Sequence, residues 1–220
     1  AGAGLNLVIV IHQMQKILRN IKAGVSEKAA FNVIEDQLQD LTNLVEGYSI
    51  LVKKSDIKIR NIKGILEKII FNLNFRFRTH GINVNLKFRE RIEGLDALCS
   101  ESHVMNAVMN LVDNSIWWMD YVGSTNKSIY IDISSYLNGF TTIVVADNGP
   151  GFKIPLDLRG KAFVTGKPEG IGMGIGLHLT TQIMESLGGN IFYPDFGDFE
   201  VPEIYKTGAI VALAFKNKKG

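Results

Sequence analysis

Glycine is distributed unevenly along this chain of 220 residues, and the distribution limits what each part can fold into. Only two of the 22 glycines, Gly24 and Gly47, fall between residues 5 and 54, a stretch that also contains no proline. Glycine and proline are the residues that helix interiors tolerate least. The N-terminal part can therefore form long helices, whereas the glycine-rich remainder has to contain turns and close loops.

Apolar residues between positions 5 and 54 recur at alternating steps of three and four, which places them on one stripe of a helix. The spacing predicts an antiparallel helical hairpin over residues 1–55, with Gly24 ending the first helix and Ser26 capping the second. Because a hairpin alone has little interior, we expect two copies to pair as a four-helix bundle, which makes the chain a homodimer. In the alternative interpretation, the hairpin packs on the rest of its own chain. The stripe residues are Leu7, Val10, Met14, Ile17 and Ile21 in the first helix and Phe31, Ile34, Leu38, Leu41, Val45, Tyr48 and Val52 in the second.

Residues 56–220 mix helical and strand patterns. The order shows no regular strand-helix-strand repeat, so we expect an α+β fold in which a mixed sheet carries helices on one face. The turn at Asn138-Gly139 is typical of a β-hairpin. Apolar spacing predicts helices over 57–77, 103–119 and 176–187, and strands over 82–88, 129–136, 140–146, 191–193 and 209–215.

Composition argues against several classes of protein. The chain has 24 basic and 22 acidic residues, interleaved along most of its length, so we expect no nucleic-acid partner. The apolar stretch 7–11 is far shorter than a bilayer requires, so no membrane segment is predicted. The single cysteine, Cys99, cannot form an intramolecular disulfide, which favours a cytoplasmic location.

Three polar or glycine-rich clusters stand out in residues 56–220. Asn106, Asn110 and Asn114 are four residues apart, which puts their amides on one helix face, and amide oxygens suit Mg²⁺ and the phosphates that it carries. Asp147 follows a predicted strand and precedes the glycines of residues 148–151, as a carboxylate at a pocket edge often does. The glycines at every other position of 170–176 precede a helix, where backbone amides bind phosphate. Taken singly, these features are also typical of a solvated stripe, a turn and a loop.

Together and in this order, the three clusters resemble the ATP-binding catalytic domain of sensor histidine kinases, within the larger group that includes gyrase, Hsp90 and MutL. The asparagine helix is similar to the N box of that family, residues 147–151 to its G1 box and residues 170–177 to its G2 box. Residues 162–170, AFVTGKPEG, resemble the F-x-T-x-K-x-x-G lid of kinases related to the nitrogen-regulation sensor. Thr207-Gly208-Ala209 is similar to the small-residue turn before the last strand.

The resemblance implies ATP and Mg²⁺ as ligands and gives roles to individual residues. Asp147 would bind the adenine amino group, Asn114 would ligate Mg²⁺ with help from Asn110, and Lys167 would reach the phosphates. The further nucleotide-binding residues that it implies are Gly149, Gly151, Phe163, Gly170, Gly172, Gly174, Gly176, Leu177 and Thr207.

A histidine kinase also needs a phosphoacceptor on the first hairpin helix, and His12 is the candidate. With Leu7 and Val10 on the bundle seam, His12 falls at a heptad position that faces away from it. The resemblance then implies autophosphorylation of His12 and transfer of the phosphoryl group to a response regulator. Asn110 stands where hydrolysing members of the group have a glutamate base, which favours transfer over hydrolysis.

Two positions depart from the family pattern. Gln13 stands where the family has an acidic residue that draws a proton from the histidine, and an amide cannot accept that proton. Trp117 stands where many kinases have a lysine or an acidic residue. These departures leave a second hypothesis open, in which the chain is a catalytically impaired ATP-binding and dimerisation module that acts through partner binding.

Overall fold

The computed structural model describes residues 2–26, single positions between 34 and 49, and residues 56–90, 95–168 and 172–217. The side chains at positions 2–10, 12, 13 and 26 lie outside that description. The helices are α1 (Gly2–Ser26), α2 (Ile62–Thr79), α3 (Glu101–Tyr121) and α4 (Gly176–Ser186). The strands are β1 (Lys58–Asn61), β2 (Ile82–Leu86), β3 (Asp96–Cys99), β4 (Lys127–Ser134), β5 (Phe140–Asp147), β6 (Asn190–Phe192) and β7 (Ile210–Lys216).

Five strands form a mixed sheet in the order β2-β4-β5-β7-β6. β2 runs parallel to β4, and the other pairs are antiparallel. β1 and β3 form a separate antiparallel pair. Helices α2, α3 and α4 all contribute to one apolar core with Ile129, Ile131 and Ile133 of β4, which alternate along the strand and so share a face. The expected α+β fold with a mixed sheet is confirmed.

The opposite face of the sheet is covered as well. Tyr130 and Val144 pack there against Val201 and Tyr205, which come from the segment between β6 and β7. The hydroxyl groups of Tyr205 and Ser128 are 2.8 Å apart and share a hydrogen bond. Because both faces are buried, β5 is apolar along most of its length and does not alternate. Asp147, the last residue of β5, therefore leaves the strand in a buried position.

The structure corrects two parts of the predicted element order. The predicted helix over 57–77 begins only at Ile62, because residues 58–61 form β1 and the Asn61 side chain caps α2 by accepting a hydrogen bond from Gly64 N at 2.8 Å. β3 was not predicted. Both strands have only four residues, too few for an apolar period to identify.

The N-terminal helix agrees with the first predicted hairpin helix except at its end, because α1 continues through Gly24 to Ser26. Ile17 is buried, and Met14 packs with Tyr48 against Ile175 and Leu179 of the sheet domain. These two stripe residues thus contact their own chain, as the alternative interpretation proposes. Most of the second predicted helix lies outside the described residues, so the hairpin as a unit stays a prediction.

Candidate functional site

A cavity of about 790 Å³ lies between α3, the start of α4 and the carboxyl end of β5. It brings together the three clusters that are far apart in the sequence. Its lining includes Asn106, Asn110, Asn114, Ser115, Trp117, Asp147, Gly151, Lys167, Gly172, Gly174, Gly176, Leu177 and Ala209. The cavity is the candidate nucleotide site.

Asp147 presents a buried carboxylate to this cavity, with only 4% of the residue exposed. Its Oδ1 accepts hydrogen bonds from Gly149 N at 2.9 Å and Ala209 N at 3.2 Å, and its Oδ2 accepts one from the Ser115 hydroxyl at 2.7 Å. Burial raises the pKa of the carboxyl, and the three hydrogen bonds oppose that rise. A carboxylate has about four acceptor sites, so these three described donors leave capacity for one more, as an adenine amino group requires.

Close backbone packing holds Asp147 in place. A side chain on Gly208 would put its Cβ 1.6 Å from the Asp147 carbonyl oxygen, so only glycine fits there. Gly151 has a φ of +71°, and a Cβ on it would lie 2.8 Å from the Thr207 carbonyl oxygen. The loop after β5 and the turn before β7 therefore touch backbone to backbone. Gly149, which binds Asp147, and Thr207, whose carbonyl lies against Gly151, do not line the cavity themselves.

Two asparagine amides meet at the start of α4. Asn110 Nδ2 donates to Asn106 Oδ1 at 3.2 Å, which fixes the orientation of the Asn110 amide. A Cβ on Gly176 would lie 3.5 Å from Asn114 Nδ2 and 3.9 Å from Asn110 Oδ1. The missing side chain of Gly176 thus leaves a small space bordered by two amides, and amide oxygens are suitable ligands for Mg²⁺.

The start of α4 offers backbone donors to the same space. No side chain in the described part of the chain caps this helix, which has 11 residues. The first N–H groups of a helix have no acceptor within the helix, and the helix dipole favours an anion beside them. The amides of Asn110 and Asn114 and these N–H groups together fit a phosphate chain and the Mg²⁺ that accompanies it.

The segment before the glycine run covers one side of the cavity. Gly174 has a φ of +66°, and a Cβ on it would lie 2.5 Å from the Val164 carbonyl oxygen. Phe163 N donates to Gly174 O at 3.2 Å. The Phe163 side chain packs with Ile175 and Leu179 in the cluster that also includes Met14, whereas residues 164–167 line the cavity. Phe163 therefore packs against the same two residues as Met14 of the N-terminal helix.

The remaining predicted site residues are placed only in part. His12 and Gln13 fall within α1, and their side chains lie outside the described residues, as does the whole of Gly170. Sequence reasoning missed Ser115 and the Ala209 amide, both of which bind Asp147. A hydroxyl on the mostly apolar, buried face of α3 was the available signal for Ser115, because buried hydroxyl groups need a hydrogen-bond partner.

Residues 99–218 match the family described as "Histidine kinase-, DNA gyrase B-, and HSP90-like ATPase". The match covers more than half of the chain and includes all the cavity residues named above. The chain belongs to this family. Its domain is therefore an ATPase-type domain, and the resemblance to the sensor histidine kinases is confirmed.

Curated relatives carry the names of sensor kinases. An NtrY-like sensor histidine kinase of Rickettsia felis is 23% identical over 220 residues, which cover 97% of this chain and 34% of that protein. The sensor histidine kinase TmoS of Ectopseudomonas mendocina is 29% identical over 152 residues, which cover 66% of this chain and 15% of that protein. The chain thus spans about a third or less of the length of these relatives.

Solved structures share the fold. The Acinetobacter baumannii histidine kinase AdeS aligns over 97% of this chain and 98% of its own, with a TM-score of 0.61 and 18% identity. Histidine kinase ThkA, solved in complex with the response regulator TrrA, aligns over 98% of this chain and 62% of its own, with a TM-score of 0.65 and 16% identity. Among the described residues of our chain, no helix is long and apolar enough to span a membrane.

Proposed function

We propose that the chain is the core of a sensor histidine kinase that binds Mg²⁺-ATP and transfers the γ-phosphoryl group to His12. Residues 1–55 would form the dimerisation and acceptor hairpin, and residues 56–220 the ATP-binding catalytic domain. The observation that carries the proposal is the buried Asp147 carboxylate, with acceptor capacity for one more donor, in the same cavity as Asn110 and Asn114. Family membership supports the same conclusion.

In the proposed reaction, a nitrogen of His12 attacks the γ-phosphorus, the N–P bond forms, and the bond from phosphorus to the β–γ bridging oxygen breaks. ADP leaves with the electron pair of that bond. The imidazole proton goes to solvent, because the Gln13 amide cannot accept it at neutral pH. Mg²⁺, held beside the Asn110 and Asn114 amides, would neutralise charge on the phosphates.

The cavity favours transfer over hydrolysis. Asn110 occupies the place of a general base, and its amide already donates to Asn106. An amide has no basicity at neutral pH with which to activate a water molecule. We therefore expect the γ-phosphoryl group to pass to a protein acceptor and then to an aspartate of a response regulator in the cytoplasm.

Exposed apolar residues support a homodimer as part of this proposal. Ile11, Leu18 and Val25 repeat every seven residues along α1 and are all exposed in the single chain, with Leu18 at 53%. Leu38 and Val45 are exposed at the same spacing. In a four-helix bundle each helix packs against two neighbours, so its apolar surface has to be wider than a single stripe. A second copy would cover these residues.

Labelling with [γ-³²P]ATP and Mg²⁺ tests the proposal. We expect label on the protein that is lost in acid and stable in alkali, as for a phosphorylated imidazole, and no label on a His12→Gln variant. His178 on α4 gives the matched control, since His178→Gln should keep the label on His12. Unlabelled wild-type protein that still binds ATP would support the impaired-module hypothesis, which Gln13 and Trp117 favour.

A further inference from the structure

Lys167 is held at three points along its length. Its backbone N–H donates to Thr165 Oγ1 at 3.1 Å. Its aliphatic stem lies against Gly172, where a Cβ would come within 2.9 Å of Lys167 Cδ. Its Nζ lies 4.2 Å from the centre of the Trp117 ring, within the range of a cation–π contact. These contacts restrict the movement of a side chain that is flexible when it is exposed.

The Trp117 ring is itself anchored by its neighbours on α3. It stacks on Tyr121 with a centroid distance of 4.9 Å and an interplanar angle of 10°. The Trp118 ring meets it edge-on at 4.9 Å and 87°. The rings of Trp117 and Tyr121 are four residues apart, as the stacking of neighbours on one helix face requires. Lys167 therefore contacts a fixed platform.

The platform lies at the end of the cavity that suits phosphate. Trp117 follows Asn114 by three residues, so the two lie on one face of α3, and both line the cavity. Gly172 belongs to the glycine run that leads to the start of α4. Lys167 thus lines the same cavity as the two amides and the helix start that we assign to the phosphate chain and Mg²⁺.

The chemistry of the ring suits a lysine that has to bind phosphate. A carboxylate at position 117 would pair with the ammonium and compete with the phosphate oxygens for it. The face of an indole ring attracts an ammonium through its quadrupole and carries no net charge. It can therefore hold Lys167 in position without neutralising it.

We propose that Trp117 is a positioning residue that holds the Lys167 ammonium for the phosphate chain of ATP. The inference rests on the proposed function, because it takes the cavity to be an ATP site. It also gives a role to the tryptophan that departs from the family pattern.

Binding of ATP and of adenosine to the whole chain, measured by calorimetry, tests the proposal. We expect Trp117→Leu to weaken ATP binding by about 3- to 10-fold. Adenosine binding should change less than twofold, because adenosine has no phosphate for Lys167 to bind. Trp117→Tyr should keep most of the ATP affinity, since it keeps an aromatic face.

A double-mutant cycle with Lys167→Met separates positioning from a general structural effect. In the Lys167→Met background, Trp117→Leu should cause no further loss of ATP affinity. The inference is overturned if Trp117→Leu leaves ATP affinity unchanged or raises it, weakens adenosine equally, or still acts without Lys167. A wild-type chain that binds neither ATP nor adenosine would overturn the proposed function as well.

Discussion

We propose that nucleotide recognition depends on Asp147, and the neutral isostere of this residue tests that role. We expect Asp147→Asn to keep the fold, because one amide oxygen can still accept from Gly149 and Ala209 while the Ser115 hydroxyl accepts from the new NH₂ group. The variant loses the acceptor that adenine needs. Loss of a hydrogen bond to a charged group costs about 1.5–3 kcal/mol, so ATP affinity should fall about 10- to 100-fold.

The same variant has a predicted effect on stability. Because burial raises the pKa of Asp147 above its unfolded value, its contribution to stability is present at low pH and declines as pH rises through the folded pKa. Asp147→Asn removes that titration. Thermal unfolding should therefore show no loss of melting temperature at pH 7, and a variant that is unfolded at that pH would contradict this assignment.

A second carboxylate, Asp120, shows the opposite pH dependence. Its carboxylate lies 2.6 Å from His80 Nδ1, just after α2, and forms an ion pair with Lys127 of β4. These two contacts connect α3 to the end of α2 and to β4. Burial works against ionisation, but the hydrogen bonds from Lys127 and His80 outweigh it and hold the pKa of Asp120 below its usual value. The carboxylate therefore stabilises the fold above its unfolded pKa of about 3.9, and that contribution is lost as pH falls through the folded pKa.

We expect Asp120→Asn to lower the free energy of unfolding by about 1 kcal/mol at pH 7 in denaturant titrations. The difference from wild type should shrink as pH falls through the lowered folded pKa of Asp120, and vanish once Asp120 is protonated in both states. Asp113→Asn is the matched control. Asp113 lies on α3, as Asp120 does, and pairs with Arg76 of α2 at a more exposed position. It should cost less than Asp120→Asn at pH 7, and equal costs would contradict the account.

At the residue scale, the sequence predicted residues that line the cavity, such as Asp147 and Asn114, and missed residues that hold Asp147 in place. Asp147 was predictable because it follows an apolar strand and precedes glycines. Its partner Ser115 lies 32 residues away, and only the packing of α3 against β5 brings the two together. Phe163 was expected at the nucleotide, but it has a φ of +63° and its side chain packs against Ile175 and Leu179. A backbone angle of this kind leaves no trace in residue spacing.

At the scale of elements, the junction of β5 with the turn before β7 is the most constrained part of the site. We expect Gly208→Ala to destabilise the fold by about 3 kcal/mol, the upper end for overpacking, because a Cβ would overlap the Asp147 carbonyl oxygen. Gly64→Ala is the control, since Gly64 lies in α2 with its nearest contact at 3.6 Å. In denaturant titration, Gly64→Ala should keep the wild-type free energy of unfolding. A Gly208→Ala variant as stable as that control would contradict the close contact between Gly208 and Asp147.

The longer elements were predictable and the short ones were not. Helices α3 and α4 and strands β4, β5 and β7 agree with the predicted segments because each repeats its apolar period several times. β1 and β3 were not predicted because each has four residues and, within the part of the chain that the structure describes, each pairs only with the other. The segment that covers the second sheet face was not predicted either, since Val201 precedes and Tyr205 ends a 3₁₀ helix of only three residues, Glu203–Tyr205.

At the scale of the whole molecule, the exposed apolar residues Ile11, Leu18 and Val25, which form a stripe along α1, predict that the chain dimerises. The wild-type chain should sediment as a dimer at micromolar concentration, and Leu18→Glu should sediment as a monomer, because it places a charge on the stripe. Asn20 is exposed on the same helix and lies off the stripe, so Asn20→Glu should remain a dimer. A wild-type monomer would contradict the bundle and favour a hairpin that packs only on its own chain.

The fate of the γ-phosphoryl group tests the central claim most directly. With [γ-³²P]ATP and Mg²⁺ in a single turnover, protein-bound label and free phosphate are measured together. We predict that most of the label lost from ATP appears on the protein, and that Asn110→Glu, which introduces a carboxylate base, shifts label to free phosphate. Wild-type chain that binds ATP yet releases the label only as free phosphate would contradict the account.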